Sequence, residues 1–179
     1  MGVYKIRIVV AESRPVVMSG LQHWFGVHER FDLAAFAGDG ARLLDALKSA
    51  ECDLIVLSGG IEGSGGDDFA LLRALRHEWP DTPVVVFTHE RDAAALAAMQ
   101  RAGASGLASV FDEARAFERV CERVLSGAKH VVSARIAACS QPAAPQPDAD
   151  VCADSHSDAA ASPDYGTTRM NIRQFVGRT

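Results

Sequence analysis

DLIVLSGGIEGSGGDD, residues 53–68, sets a short unbroken apolar run against a glycine-rich loop. Asp53 is followed by Leu54, Ile55, Val56 and Leu57, a pattern that suits a central strand buried on both faces. Ser58 stands where the run stops. A helical pattern then resumes over residues 69–79, with Leu72, Leu75 and Trp79 on one side. In open α/β sheets the chemistry gathers where strands end and loops begin. The residue closing this strand is therefore the first candidate for function, and it is a serine followed by two glycines.

Outward from that strand the same unit repeats. Residues 4–10 read as a first strand rich in Ile and Val. Ser13 is positioned to cap a helix over residues 14–29, with Pro15 in its first turn, where a missing N–H costs nothing. Val17, Leu21, Trp24 and His28 recur in that helix at helical spacing. Residues 31–37 form a second strand, and Asp39 caps a helix lined by Leu43, Leu44 and Leu47. Residues 84–88 are another continuous apolar strand. An alanine-rich helix over 92–102 ends at Gly103, and residues 105–109 make a short fifth strand. Asp112 is expected to cap the last long helix, whose Phe117, Val120, Cys121, Val124 and Leu125 give an i, i+3, i+4, i+7, i+8 stripe. Residues 130–138 suggest one more extended piece and a helical turn.

Strand and helix alternate five times with short connections. This demands a parallel sheet with helices on both faces. The size of the units fits an α/β, flavodoxin-like five-stranded sheet of order 2-1-3-4-5, over a domain of residues 4–138. From 139 to 179 the composition shifts to Pro, Ala, Asp and Ser. That segment is expected to be a disordered low-complexity tail, because it offers too little apolar surface to offset its ordering entropy.

The 179 residues carry a formal net charge of −5, which argues against a broad nucleic-acid-binding surface. The four cysteines, Cys52, Cys121, Cys139 and Cys152, show no ligand spacing and fit a reducing compartment. The apolar run at residues 6–11 is broken by Arg7 and is too short for a signal peptide, and no segment reaches the length of a bilayer span. A cytoplasmic protein is expected.

The order of elements, the Pro15 turn, Thr88 closing the fourth strand and the run Arg101-Ala102-Gly103-Ala104-Ser105-Gly106 resemble a bacterial response-regulator receiver domain. The likeness is nearest to receivers that precede LuxR-type helix-turn-helix domains, and Val131-Val132-Ser133 resembles the segment after their last helix. The resemblance implies a two-component phosphorelay role. It also implies a pocket of two acids after the first strand, a phosphate-accepting aspartate after the third, and a lysine after the fifth. At the matching positions this chain has Glu12, Ser13, Ser58 and Val110. Leu107 holds the aromatic switch position. Only Thr88 keeps the family's residue.

These departures carry physical weight. Mg²⁺ is held by carboxylates, phosphate and water, and Glu12 is the one residual metal candidate, so Mg²⁺ binding is expected to be weak or lost. A serine hydroxyl needs a base to attack phosphorus, and Glu12 is the only one nearby. The expectation is a pseudo-receiver: not an enzyme, with no cofactor and no aspartyl phosphate. It would act in signal transduction or transcriptional control through protein partners. A homodimer, a heterodimer with a full-length response regulator, and a histidine kinase are the partner classes, and the tail is too short for a helix-turn-helix module that would contact nucleic acid directly. The contact faces implied are the first and fifth helices, or the fourth helix with the fifth strand and fifth helix.

Other readings compete. A working phosphorelay regulator with an unusual pocket is the nearest. A hydrolase elbow needs Gly-x-Ser-x-Gly, but Val56 stands at the first glycine position. A phosphate-binding loop after Ser58 would end in GK[ST], whereas Asp67 and Asp68 stand there and repel phosphate. A flavodoxin-like flavin site would want hydroxyls after the first strand, where Glu12 and Arg14 lie.

Overall fold

The structure is a computed structural model that describes residues 5–59, 61 and 69–140. Within it a parallel sheet alternates with helices. The strands are β1 (Ile6–Ala11), β2 (Phe31–Ala37), β3 (Leu54–Ser58), β4 (Val84–Thr88), β5 (Gly106–Ser109) and β6 (Val131–Val132). The helices are α1 (Pro15–Val27), α2 (Gly40–Ser49), α3 (Ala70–Glu78), α4 (Ala93–Ala102), α5 (Ala114–Leu125) and α6 (Ala134–Ser140). Strand order is β2-β1-β3-β4-β5-β6, with every neighbouring pair parallel.

The expected order 2-1-3-4-5 is therefore present, and the five-stranded count is corrected to six. All four residues of β5 are buried, so an open β5 edge would leave a row of unpaired backbone groups beside apolar side chains. Val131 and Val132 pair with Gly106 and Leu107, and Ile136 of α6, 1% exposed, seals the addition. Of the expected disordered tail, residues 139–179, the first two close α6, and residues 141–179 lie outside the described residues.

The central strands are apolar throughout because they feed two cores. On one face Val9, Ile55, Leu57, Val86 and Leu107 meet Leu43, Leu47, Leu72, Leu75 and Leu96. On the other Ile8, Val10, Leu54, Val56 and Val85 meet Phe25, Phe117, Val120 and Val124. Alternate residues of one strand thus enter opposite cores, which is why β3 reads as an unbroken run and not as alternation. Each such side chain contributes about 1.5–3 kcal/mol on burial.

Helix boundaries follow local chemistry. Asp39 and Asp92 accept hydrogen bonds from the backbone N–H groups of Arg42 and Ala95, both at 2.8 Å. Gly103 ends α4 at φ 127°, and a Cβ there would lie 2.9 Å from Arg76 Cβ, so glycine is required for both backbone and space. Two capping expectations are corrected. Arg14, not Ser13, is the N-cap of α1, and it makes no side-chain bond to the helix. Glu113 is the N-cap of α5, because the Asp112 carboxylate is spent accepting from the Ser109 N–H at 2.7 Å. In α1 the buried residue is Phe25, which with Trp24, Phe31 and Phe117 forms an aromatic cluster of tilted and edge-on pairs. His28 stacks on Phe31 with ring centroids 4.6 Å apart and lies 3.2 Å from the Glu118 carboxylate, so it serves packing. Among the described residues no helix is long and apolar enough to cross a membrane.

Candidate functional site

The parallel register aligns the ends of the strands. Ala11 of β1 pairs with Leu57 of β3, which brings the next residues, Glu12 and Ser58, together. Ser58 pairs with Phe87, and Thr88 pairs with Ser109. Glu12, Ser58 and Thr88 are all buried at this edge, at 0%, 2% and 2% exposure. Three polar side chains sunk at the carboxyl ends of adjacent strands make this the site.

Glu12 is held by a partner that the sequence pattern did not flag. Arg14 donates to Glu12 Oε1 through its backbone N–H at 2.9 Å and its Nε at 2.9 Å, and to Oε2 through Nη2 at 2.8 Å. The same Nη2 donates to Ser58 Oγ at 3.3 Å. Burial pushes the Glu12 carboxyl up, but the hydrogen bonds from the Arg14 side chain and backbone, with a further one from Ser58, outweigh it and hold Glu12 below the usual carboxylate range. The hydrogen bond to Glu12 likewise raises Arg14. A signal did exist: a basic residue two positions after the acid, fixed by the proline that follows it.

The remaining candidates divide. Thr88 Oγ1 accepts from the Glu90 N–H at 3.0 Å, and a Cβ on Gly59 would stand 3.0 Å from that oxygen, so the threonine lies against the loop backbone. Val110 is half-buried at the end of β5, with its N–H donating to the Thr88 carbonyl at 2.9 Å; its side chain brings no charge to the pocket. Ser13 is exposed and is not drawn into the Glu12 network. Leu107, 1% exposed, is locked into the core between Val86 and Val132. The glycine-rich stretch after Ser58 falls mostly on residue 60 and residues 62–68, outside the described residues.

Among the described residues the donor set does not fit Mg²⁺. A hard dication wants several free oxygen ligands, and the Glu12 carboxylate already receives three hydrogen bonds from a cationic residue. Among the described residues no group of three or more His, Cys, Asp or Glu side chains is placed to hold a metal ion.

Residues 8–132 match the response regulator receiver domain family. The chain belongs to that family. It is thus a receiver of two-component signalling, with a sheet and pocket edge laid out as above. Among curated proteins it is similar to SgaR of Hyphomicrobium methylovorum, named a probable transcriptional regulatory protein. The identity is 26% over 109 residues, covering 61% of this chain and 51% of SgaR. It is also 25% identical over 100 residues to the nitrate/nitrite response regulator NarP of Escherichia coli K12, covering 56% of this receiver and 46% of NarP. The chain spans about half the length of the curated relatives it matches.

Solved structures share the fold. The receiver superposes on the RcsB response regulator of Salmonella typhimurium with TM-score 0.69 at 15% identity, covering 76% of this chain and 66% of that one. A LuxR-family response regulator from Aurantimonas sp. SI85-9A1 gives TM-score 0.68 at 21% identity, covering 76% and 95%.

Proposed function

We propose that this receiver signals through protein contacts without cycling through an aspartyl phosphate, as a pseudo-receiver with no enzymatic activity of its own. The observation that carries the reading is Ser58. Its hydroxyl stands at the end of β3, 2% exposed and within 3.3 Å of Arg14 Nη2. A hydroxyl needs a base to become a nucleophile, and Glu12, held ionised by three bonds from Arg14, is a weak one. Charge developing on a transferred phosphoryl group needs a metal or a cation opposite. Val110 supplies none from β5, and among the described residues the donor set does not fit Mg²⁺.

The name of SgaR, a probable transcriptional regulatory protein, supports a setting in transcriptional control, which the proposal places in the cytoplasm. The partner is a second copy, a full-length response regulator or a histidine kinase. Helix α1 favours the face shared by α1 and α5. It carries no charged side chain from Pro15 to Val27, and it exposes Val16 at 85% and Val27 at 69%. The alternative face is less open, because β6 covers the outer edge of β5.

The test is phosphotransfer. The purified chain is incubated with acetyl phosphate and Mg²⁺ beside an ordinary receiver as positive control, and intact masses are read. The expected result is no added phosphoryl group. Stoichiometric label on Ser58 would overturn the reading.

A further inference from the structure

A fully buried carboxylate with no counter-charge is costly enough that proteins neutralise it or pair it. At 0% exposure, Glu12 is the most deeply buried charged side chain among the described residues. Its compensation comes from two residues away in the same chain.

We propose that Arg14 is a tethered cation, holding the end of β1 to the end of β3 in the way a bound divalent ion would, so that the pocket is set without metal. Three observations converge. The first is the fork. Nε and Nη2 of one planar guanidinium meet the two oxygens of Glu12 at 2.9 and 2.8 Å, the two-pronged geometry that arginine offers and lysine does not. The second is reach: the same Nη2 extends to Ser58 Oγ on the neighbouring strand, so one cation touches both strand ends. The third is preparation. Pro15 at the first helical position restricts the preceding residue to extended backbone, and Arg14 sits there at φ −86°, ψ 115°, the conformation that also aims its own N–H at Glu12. The segment Glu12-Ser13-Arg14-Pro15 is a preorganised clamp.

This builds on the phosphate-independent reading but stands on its own contacts, and its test reads stability and metal response, not label. Thermal unfolding of the full chain is followed for wild type, R14M and E12Q/R14M, each with and without millimolar Mg²⁺. Wild type should not respond to Mg²⁺. R14M should melt about 5–10 °C lower, and E12Q/R14M should recover most of that loss because no buried charge is left unpaired. The R14M deficit should also shrink as the pH falls toward the unfolded carboxyl value of about 4.3, because burial without a partner makes Glu12 take up its proton more readily. A packing role for the arginine would move neither the double variant nor the pH profile. If R14M is insoluble while E12Q/R14M folds, the proposal stands. It is overturned by stabilisation of wild type with Mg²⁺, by an R14M that melts with wild type, by a double variant no better than R14M, or by loss of both variants. Label on Ser58 in the phosphotransfer assay, with this cycle intact, would remove the proposed function and leave the tethered cation.

Discussion

Gly106, the first residue of β5, lies so close beneath α5 that a Cβ on it would stand 2.8 Å from Val124 Cγ2. The same atom would be 3.0 Å from Val120 Cγ1. The Val120 and Val124 side chains of α5 rest directly on the strand backbone here. G106A should therefore destabilise the domain by about 1–3 kcal/mol through overpacking. Urea unfolding would read this as a lower midpoint at unchanged slope.

Glu12 makes stability depend on pH with a definite sign. Its folded carboxyl lies below the ordinary range, so its contribution is fully present above the unfolded value of about 4.3. That contribution is lost as pH falls through the folded value. E12Q should be less stable than wild type by about 2 kcal/mol at neutral pH, the scale of hydrogen bonds to a charged group. The gap should close in acid. Melting curves from neutral pH to about pH 3 check it, and a gap that widens in acid would contradict the assignment.

Ile136 anchors the element that completes the sheet. At 1% exposure its truncation in I136A should cost about 2–4 kcal/mol. The loss should fall first on β6. Hydrogen exchange should then rise at the Val131 and Ser133 amides, which donate to the Ser105 and Leu107 carbonyls at 3.1 and 3.0 Å. Equal acceleration across β1 and β3 would point to global unfolding instead.

Cys121 should be chemically silent. It is fully buried in α5, and burial pushes its thiol up to about 12. At neutral pH almost no thiolate forms, and thiolate is the reactive species. Labelling the native chain with a thiol reagent, followed by peptide mapping, should leave Cys121 unmodified until denaturant is added.

How much of the fold and the site is legible in the sequence depends on which forces are local. Strand periodicity, Asp39 as a cap and Gly103 as a terminator are written within a few residues, and each is found where the pattern puts it. The joining of Glu12 to Ser58 depends on strand order, which the five-fold repeat supplies. The sixth strand is visible only as an extended piece. Its docking is decided by the need of a distant β5 edge, which no window around Val131 contains. Asp112 reads as a cap because acids before helices usually are; here the competing Ser109 N–H takes the carboxylate. Arg14 is hidden for a related reason. The family acids missing from this pocket say nothing about what compensates the acid that stays.

The position of Arg14 has a consequence for control. An ion that arrives from solution comes and goes with its concentration, and a chelator or a competing cation takes it away. A guanidinium joined to Glu12 through one intervening residue keeps its effective concentration for the life of the chain. Ionic conditions in the surrounding medium then have little hold on this strand edge. On the reading proposed above, what turns the signal on or off acts elsewhere, through the supply of the protein or of the partner it meets.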